Sequence, residues 1–184
     1  MHTLVGDAAV QGPAVLIDLD SVLLAVHQGK RGVELGVQPD LEEPLERLAG
    51  IAPRIAVLVE PPPAEPRRGL ETERRLDIVR DSLGAAADDL LIVTCPHGED
   101  GTCNCARPSV GLIEVAIEKH DLRRRGAWYI GGDQESIAAA RTAGLRTIRI
   151  GGLTEDHLSA VHRADYEARD LLDAANHIML QALA

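Results

Sequence analysis

A chain of 184 residues has room for one domain with a real core and is short for two. Apolar residues make up 45% of it but aromatics only 2%, so the core must come from Leu, Ile, Val and Ala, and the platforms on which single-stranded nucleic acid stacks are scarce. A net charge of −10 argues against duplex nucleic acid, and no apolar run reaches the length of a membrane span. The opening MHTLVGDAAVQG lacks the basic start and long apolar stretch of a signal peptide, so a cytoplasmic location is expected.

In chain order, AVLIDLD (14–20) reads as a buried strand ending in acid, and LEEPLERLAG (41–50) as a short helix. RIAVLVE (54–60) is a second strand, stopped by PPPAEP. ETERRLDIVRDSLG places Leu76, Val79 and Leu83 at helical spacing, with Gly84 set to end the helix. LLIVT is a third strand. SVGLIEVAIEKH is a helix expected to start behind Ser109 as its N-cap. AWYIGG, the helix ESIAAARTAG and the strand LRTIRIGG follow. The tail DYEARDLLDAANHIMLQALA, with Leu171, Leu172, Ala175, Ile178, Met179 and Leu183 on one stripe, is expected to be a docked helix. Repeated strand–helix–strand units predict a three-layer α/β sandwich with a central parallel sheet, one domain over residues 1–184, and ligands at the carboxyl ends of the strands.

All three cysteines fall in TCPHGEDGTCNCARP, as Cys95, Cys103 and Cys105, with His97 among them. Three is too odd a number for a complete disulfide framework. Three thiolates and one imidazole make a full tetrahedral set for zinc with no open position, so such a site (95–105) would be structural. The plain alternative is a set of free thiols that happen to cluster. At the exit of the first strand, LIDLDSVLL places Asp18 and Asp20, whose side chains strand alternation would send to the same side.

An apolar strand ending D-x-D-x-V, a late C-x-H…C-x-C-x-R-P loop, then YIGG and a helix ending AARTAG resemble the haloacid dehalogenase (HAD) superfamily. The closest resemblance is to the branch of heptose-bisphosphate and histidinol-phosphate phosphatases. The resemblance implies a Rossmann-like sandwich without a large cap domain, zinc on Cys95, His97, Cys103 and Cys105, and a catalytic Mg²⁺. Asp18 would be the nucleophile that forms an aspartyl-phosphate. Asp20 would be the acid and base, Arg107 the phosphate clamp, and Asp18, Asp20 and Asp133 the Mg²⁺ ligands. A nucleophilic carboxylate and a neighbour able to give and take a proton suit phosphoryl transfer.

Departures from that pattern bear on the chemistry. The family's Thr or Ser after the second strand is Val59 here, followed by Glu60, which would repel a phosphate. Arg107 stands at a Lys position, and Ala106 replaces an Arg. Counted back from Gly144, the two usual metal-site acids fall on Gly132 and Ser136, with Asp133 displaced by one residue. His27, Lys30 and Arg31 lie where the fold often carries a small flap, and Arg123–Arg125 read as a solvated turn. His157, His162 and His177 read as surface or packing residues. The sequence therefore points to a phosphomonoesterase of a small phosphorylated metabolite such as a sugar phosphate. Its rival is a pseudo-phosphatase that keeps fold and zinc and binds a protein partner.

Overall fold

The computed structural model describes residues 13–29, 32–60, 69–96, 103–151 and 163–183. In chain order the elements are β1 (Ala14–Asp18), a π-helical turn (Leu19–Leu23), β2 (Leu24–Gly29), β3 (Gly32–Val37), α1 (Glu42–Ala49), β4 (Arg54–Val59) and α2 (Gly69–Leu83). They continue with β5 (Leu90–Thr94), α3 (Gly111–Lys119), β6 (Trp128–Gly131), α4 (Gln134–Thr142), β7 (Arg146–Ile150), β8 (Tyr166–Ala168) and α5 (Leu171–Ala182). Six strands form one sheet in the order β5-β4-β1-β6-β7-β8, and every pairing in it is parallel. β2 and β3 pair with each other as an antiparallel hairpin, the small flap of this fold; no large cap is inserted there.

Strand alternation builds two cores from one sheet. Val15 and Ile17 of β1, with Ile55, Val57 and Val59 of β4, pack on one side against Leu45 and Leu48 of α1, Leu76 and Val79 of α2, and Ile178 of α5. Ala14 and Leu16, with Ala56 and Leu58, pack on the other against Leu112, Ile113 and Ala116 of α3 and Ile137 of α4. β1 is buried along its whole length, as a central parallel strand covered on both faces must be. Each such Leu, Ile or Val contributes about 1.5–3 kcal/mol on leaving water. Two of the three aromatics gather around one histidine: His177 stacks on Tyr166 at 3.8 Å and meets the edge of Trp128 at 5.5 Å, while Arg146 lies 3.8 Å over Trp128.

The tail departs from the expected single helix. Tyr166–Ala168 pairs with Ile148–Ile150 as a sixth parallel strand, and α5 begins only after Asp170, whose side chain accepts from the Asp173 N–H. The capping carboxylate, placed before the apolar stripe, starts the helix there. α3 likewise starts two residues past the expected Ser109 cap, with no side-chain cap. The Gly111 N–H instead donates to Asn104 O at 2.8 Å, and a Cβ at Gly111 would lie 2.1 Å from that oxygen, so the helix start is pressed against the cysteine loop. Arg124 is not a solvated turn residue: Nη1 donates to Glu114 Oε1 at 2.8 Å and to Ala143 O at 2.7 Å, tying α3 to the end of α4.

Candidate functional site

β1 lies between β4 and β6, and the chain crosses over it after β5, so the carboxyl ends of β1, β4 and β6 open onto a topological switch point. Asp18, Glu60 and Asp133 stand at or just beyond those three ends, and Arg107 enters from the connection between β5 and α3. Its guanidinium joins them. Nε lies 2.7 Å from Glu60 Oε2, and Nη1 lies 3.5 Å from Asp18 Oδ2 and in hydrogen-bond contact with Asp133 Oδ2. One planar cation with several donors can serve separate carboxylates in this way.

Asp18 is only 1% exposed. Its Oδ1 accepts from the Ser21 N–H at 2.8 Å and from Ser21 Oγ at 2.9 Å, which leaves Oδ2 toward Arg107. Ser21 Oγ in turn accepts from the Gly132 N–H at 2.8 Å, so this serine bolts the exit of β1 to that of β6. Burial pushes the Asp18 carboxyl above the ordinary carboxylate range, opposed by Arg107 and by Ser21. Burial also pushes Glu60 up to about 7, against the pull of Arg107 and with Asp18 and Asp133 adding to the rise. Asp133 divides its carboxylate: Oδ1 caps α4 by accepting from the Ser136 N–H at 2.9 Å, and Oδ2 meets Arg107.

Asp20 does not share a side with Asp18. The strand ends at Asp18, and Asp20 belongs to the π-helical turn, where strand alternation no longer applies. Its two oxygens lie 2.7 and 2.6 Å from Arg75 Nη1, on α2, while Arg75 Nη2 reaches Thr72 Oγ1 at 3.2 Å. The expected acid cluster is thus split: Asp18, Asp133 and Arg107 come together, and Asp20 stands apart with Arg75. Ser21 and Arg75 are the participants that sequence reasoning did not place in the site, and Glu60 appeared there only as an acid that would repel a phosphate. Glu60 had a visible signal as an acid at a strand exit. Arg75, 55 residues from its partner, had none.

In the cysteine loop, the sulfurs of Cys95, Cys103 and Cys105 all lie within 4.8 Å of one another, with Cys95 and Cys103 at 3.4 Å. Cys105 is buried in the core on the α3 side. Three thiols so placed could hold a soft metal ion. His97 lies outside the described residues, as do Lys30, Arg31, His157 and His162.

No family model matches the chain. Among curated proteins, it is 33% identical over 113 residues to the histidine biosynthesis bifunctional protein HisB of Campylobacter jejuni, covering 57% of this chain and 31% of that protein. Over 59 residues it is 30% identical to the D-glycero-beta-D-manno-heptose-1,7-bisphosphate 7-phosphatase of Pseudomonas putida, covering 32% of this chain and 34% of that one. The aligned part thus spans about a third of the length of these relatives. Among solved structures, the D,D-heptose 1,7-bisphosphate phosphatase of B. bronchiseptica, complexed with magnesium and phosphate, superposes with a TM-score of 0.62 at 19% identity over 92% of this chain and 99% of that one. A haloacid dehalogenase-like hydrolase of Streptococcus pneumoniae gives 0.59 at 14% identity over 90% and 98%. Strand order and superposition agree on a haloacid dehalogenase-like fold, and in sequence the chain is similar to HisB and to the heptose-bisphosphate phosphatases over about a third of their length.

Proposed function

We propose that this protein hydrolyses the phosphomonoester of a small metabolite through an aspartyl-phosphate on Asp18. The observation that carries the reading is the placement of Asp18: a buried carboxylate at the switch point, one oxygen fixed by Ser21 and the other facing a guanidinium. An oxygen of the Asp18 carboxylate attacks phosphorus; Asp20, once released from Arg75 and protonated, gives its proton to the leaving ester oxygen and then takes one from the water that cleaves the acyl-phosphate. Arg107 neutralises the incoming phosphate. To do so it exchanges part of its carboxylate contacts for phosphate oxygens, and Glu60, bonded to its Nε, remains the pivot.

Two carboxylate oxygens, Asp18 Oδ2 and Asp133 Oδ2, converge on the place now held by Arg107 Nη1. Such a pair fits a hard divalent cation, so Asp18 and Asp133 would hold Mg²⁺, which supplies positive charge against the phosphate dianion. The Asp20 carboxylate, turned to Arg75, is not part of that pair. Zinc on Cys95, Cys103, Cys105 and His97 would fasten the loop that carries Arg107. The relatives' names supply sugar phosphates as the first substrates to try.

One observation favours a second reading, a pseudo-phosphatase that serves as a binding protein. Arg107 already stands among Asp18, Glu60 and Asp133, in the place a metal ion would take, and Ser136 stands where a second metal acid is usual. Mg²⁺ titration against an aryl phosphate separates the two. Saturable metal-dependent turnover that falls at least ~1000-fold in Asp18→Asn supports the enzyme. A broad phosphate panel without metal-dependent turnover supports the binding protein. Elemental analysis of the same material should give stoichiometric zinc.

A further inference from the structure

Asp18 Oδ1 accepts twice from one residue: from the Ser21 N–H at 2.8 Å and from the Ser21 hydroxyl at 2.9 Å. The amide is fixed by the turn, which Asp18 caps. The hydroxyl proton is not fixed, because it rotates about the C–O bond to suit its acceptor. Its oxygen is held from behind by the Gly132 N–H at 2.8 Å, and a Cβ at Gly132 would lie 3.1 Å from that oxygen, so β6 and the turn meet closely here. A hydrogen bond accepted by Oγ strengthens the one that Oγ gives. Ser21 is half-buried, so its hydroxyl is within reach of a ligand. A phosphate at this place meets three carboxylates, Asp18, Glu60 and Asp133, and one guanidinium. Neutral donors stabilise it without adding charge. The end of β4 offers no side-chain donor, since Val59 lies in the core and Glu60 follows. Ser136 Oγ is bonded to Asp133 O at 2.9 Å, and Thr72 stands with Arg75 on α2.

We infer that Ser21 is a catalytic hydroxyl, whose Oγ–H turns from Asp18 Oδ1 to an oxygen of the phosphoryl group during transfer. This deepens the phosphatase reading and rests on it for the phosphate. Ser21 Oγ keeps the Gly132 N–H, and the Ser21 N–H keeps Asp18, so the carboxylate stays in place while the hydroxyl moves. As Asp18 passes from carboxylate to acyl-phosphate it loses its charge and weakens as an acceptor, while the phosphoryl oxygens remain charged. The hydroxyl therefore gains more from the phosphoryl group in the transition state than in the ground state, which is the condition for speeding the step. Ser21 forms no covalent bond and gives up no proton.

The test is the binding of orthovanadate, a mimic of the five-coordinate phosphoryl group, in the presence of Mg²⁺. Ser21→Ala removes the hydroxyl and keeps the backbone N–H that holds Asp18. Ser21→Gly does the same without a Cβ and takes its place if alanine impairs folding. The orthovanadate dissociation constant should rise at least ~tenfold and kcat for an aryl phosphate should fall as far, while Mg²⁺ affinity measured alone by calorimetry stays within ~twofold. Unchanged orthovanadate affinity overturns the inference, and Mg²⁺-dependent turnover that persists beside it leaves the phosphatase reading intact. A parallel loss of Mg²⁺ and orthovanadate also overturns it, since Ser21 would then act only by holding Asp18. Orthovanadate binding that depends on Ser21, in a protein that hydrolyses no ester, would sink the phosphatase reading and leave the phosphate contact standing. A wild-type protein that binds no orthovanadate overturns both.

Discussion

Arg107 and Arg75 both hold acids near the exit of β1, but the charge balance around them differs. Among the described residues Arg75 meets the carboxylate of Asp20 through a single nitrogen. Arg107 faces three, and it spreads Nε and Nη1 among them. The Arg75 and Asp20 charges balance as a pair. The Arg107 cluster carries surplus negative charge in a buried place, where two like charges ~4 Å apart cost about 4 kcal/mol at an effective dielectric of ~20. Such a cluster calls for a proton or a second cation, and burial pushes both Asp18 and Glu60 upward, Glu60 to about 7. A balanced pair has little reason to change on binding a ligand; an unbalanced one does. That difference marks the Arg107 side as the place where metal and phosphate would act.

The comparison breaks most severely if Arg107 is removed. Arg107→Met leaves three carboxylates without their cation, and stripping one partner from a buried ion-pair cluster costs about 3–5 kcal/mol. Urea unfolding at pH 8 should show that loss, and it should shrink at pH 5, where protons replace the guanidinium. Mg²⁺ should recover part of it in the variant. A loss under about 1 kcal/mol would mean that the acids are not held as closely as they stand here.

Glu60 gives the next effect, and its sign is set by the direction of the shift. Its folded-state value, about 7, lies above its ordinary value of 4.5, so the folded chain binds the extra proton between these limits. Stability therefore falls as pH rises through that window and levels off above it. At ~1.4 kcal/mol per unit, this one group removes at most about 3.5 kcal/mol. Glu60→Gln should flatten the slope of urea midpoints between pH 4.5 and 7. An unchanged slope would assign the titration to another residue.

A smaller and more local test lies in the joint between β1 and β6. A Cβ at Gly132 would sit 2.7 Å from Ser21 Cβ, close to the hydrogen bond that fixes the Asp18 side of the site. Gly132→Ala should cost about 1–3 kcal/mol by overpacking and lower turnover more than stability alone explains. An alanine variant with wild-type melting and kinetics would show that the joint has slack.

These contrasts also show what a linear reading can carry. Apolar strands buried on both faces and helices with a 3.6-residue stripe are local patterns, so β1, β4, β5, β6 and β7 and their order along the chain were legible. The convergence of Cys95, Cys103 and Cys105 was legible for the same reason, since eleven positions hold them all. β8 was not, because Tyr166–Ala168 is three residues long and its partner strand, not its own sequence, makes it extended. Asp20's turn away from Asp18 was hidden too: alternation holds only while the strand lasts, and the strand stops one residue before it matters. The role of Glu60 depended on where Arg107 would arrive, which is decided by the packing of α3 on the sheet.

The weakest expected effect tests the balanced side. Asp20 is partly exposed, so losing its ion pair in Arg75→Met should cost about 1 kcal/mol or less. Its functional mark should be larger than its structural one. Asp20 is the proposed proton carrier, and without Arg75 its two oxygens lose the nitrogen that fixes their direction. Turnover should fall with KM nearly unchanged, and the pH profile of kcat should move. Arg75→Lys should restore most of it, since both contacts to Asp20 come from the single nitrogen Nη1 and an ammonium can take that place. Arg107→Lys should not restore its own site, because one ammonium cannot stand at both the Nε and the Nη1 positions that reach Glu60 and Asp133. Rescue by lysine at both positions, or at neither, would remove the distinction between the two clusters.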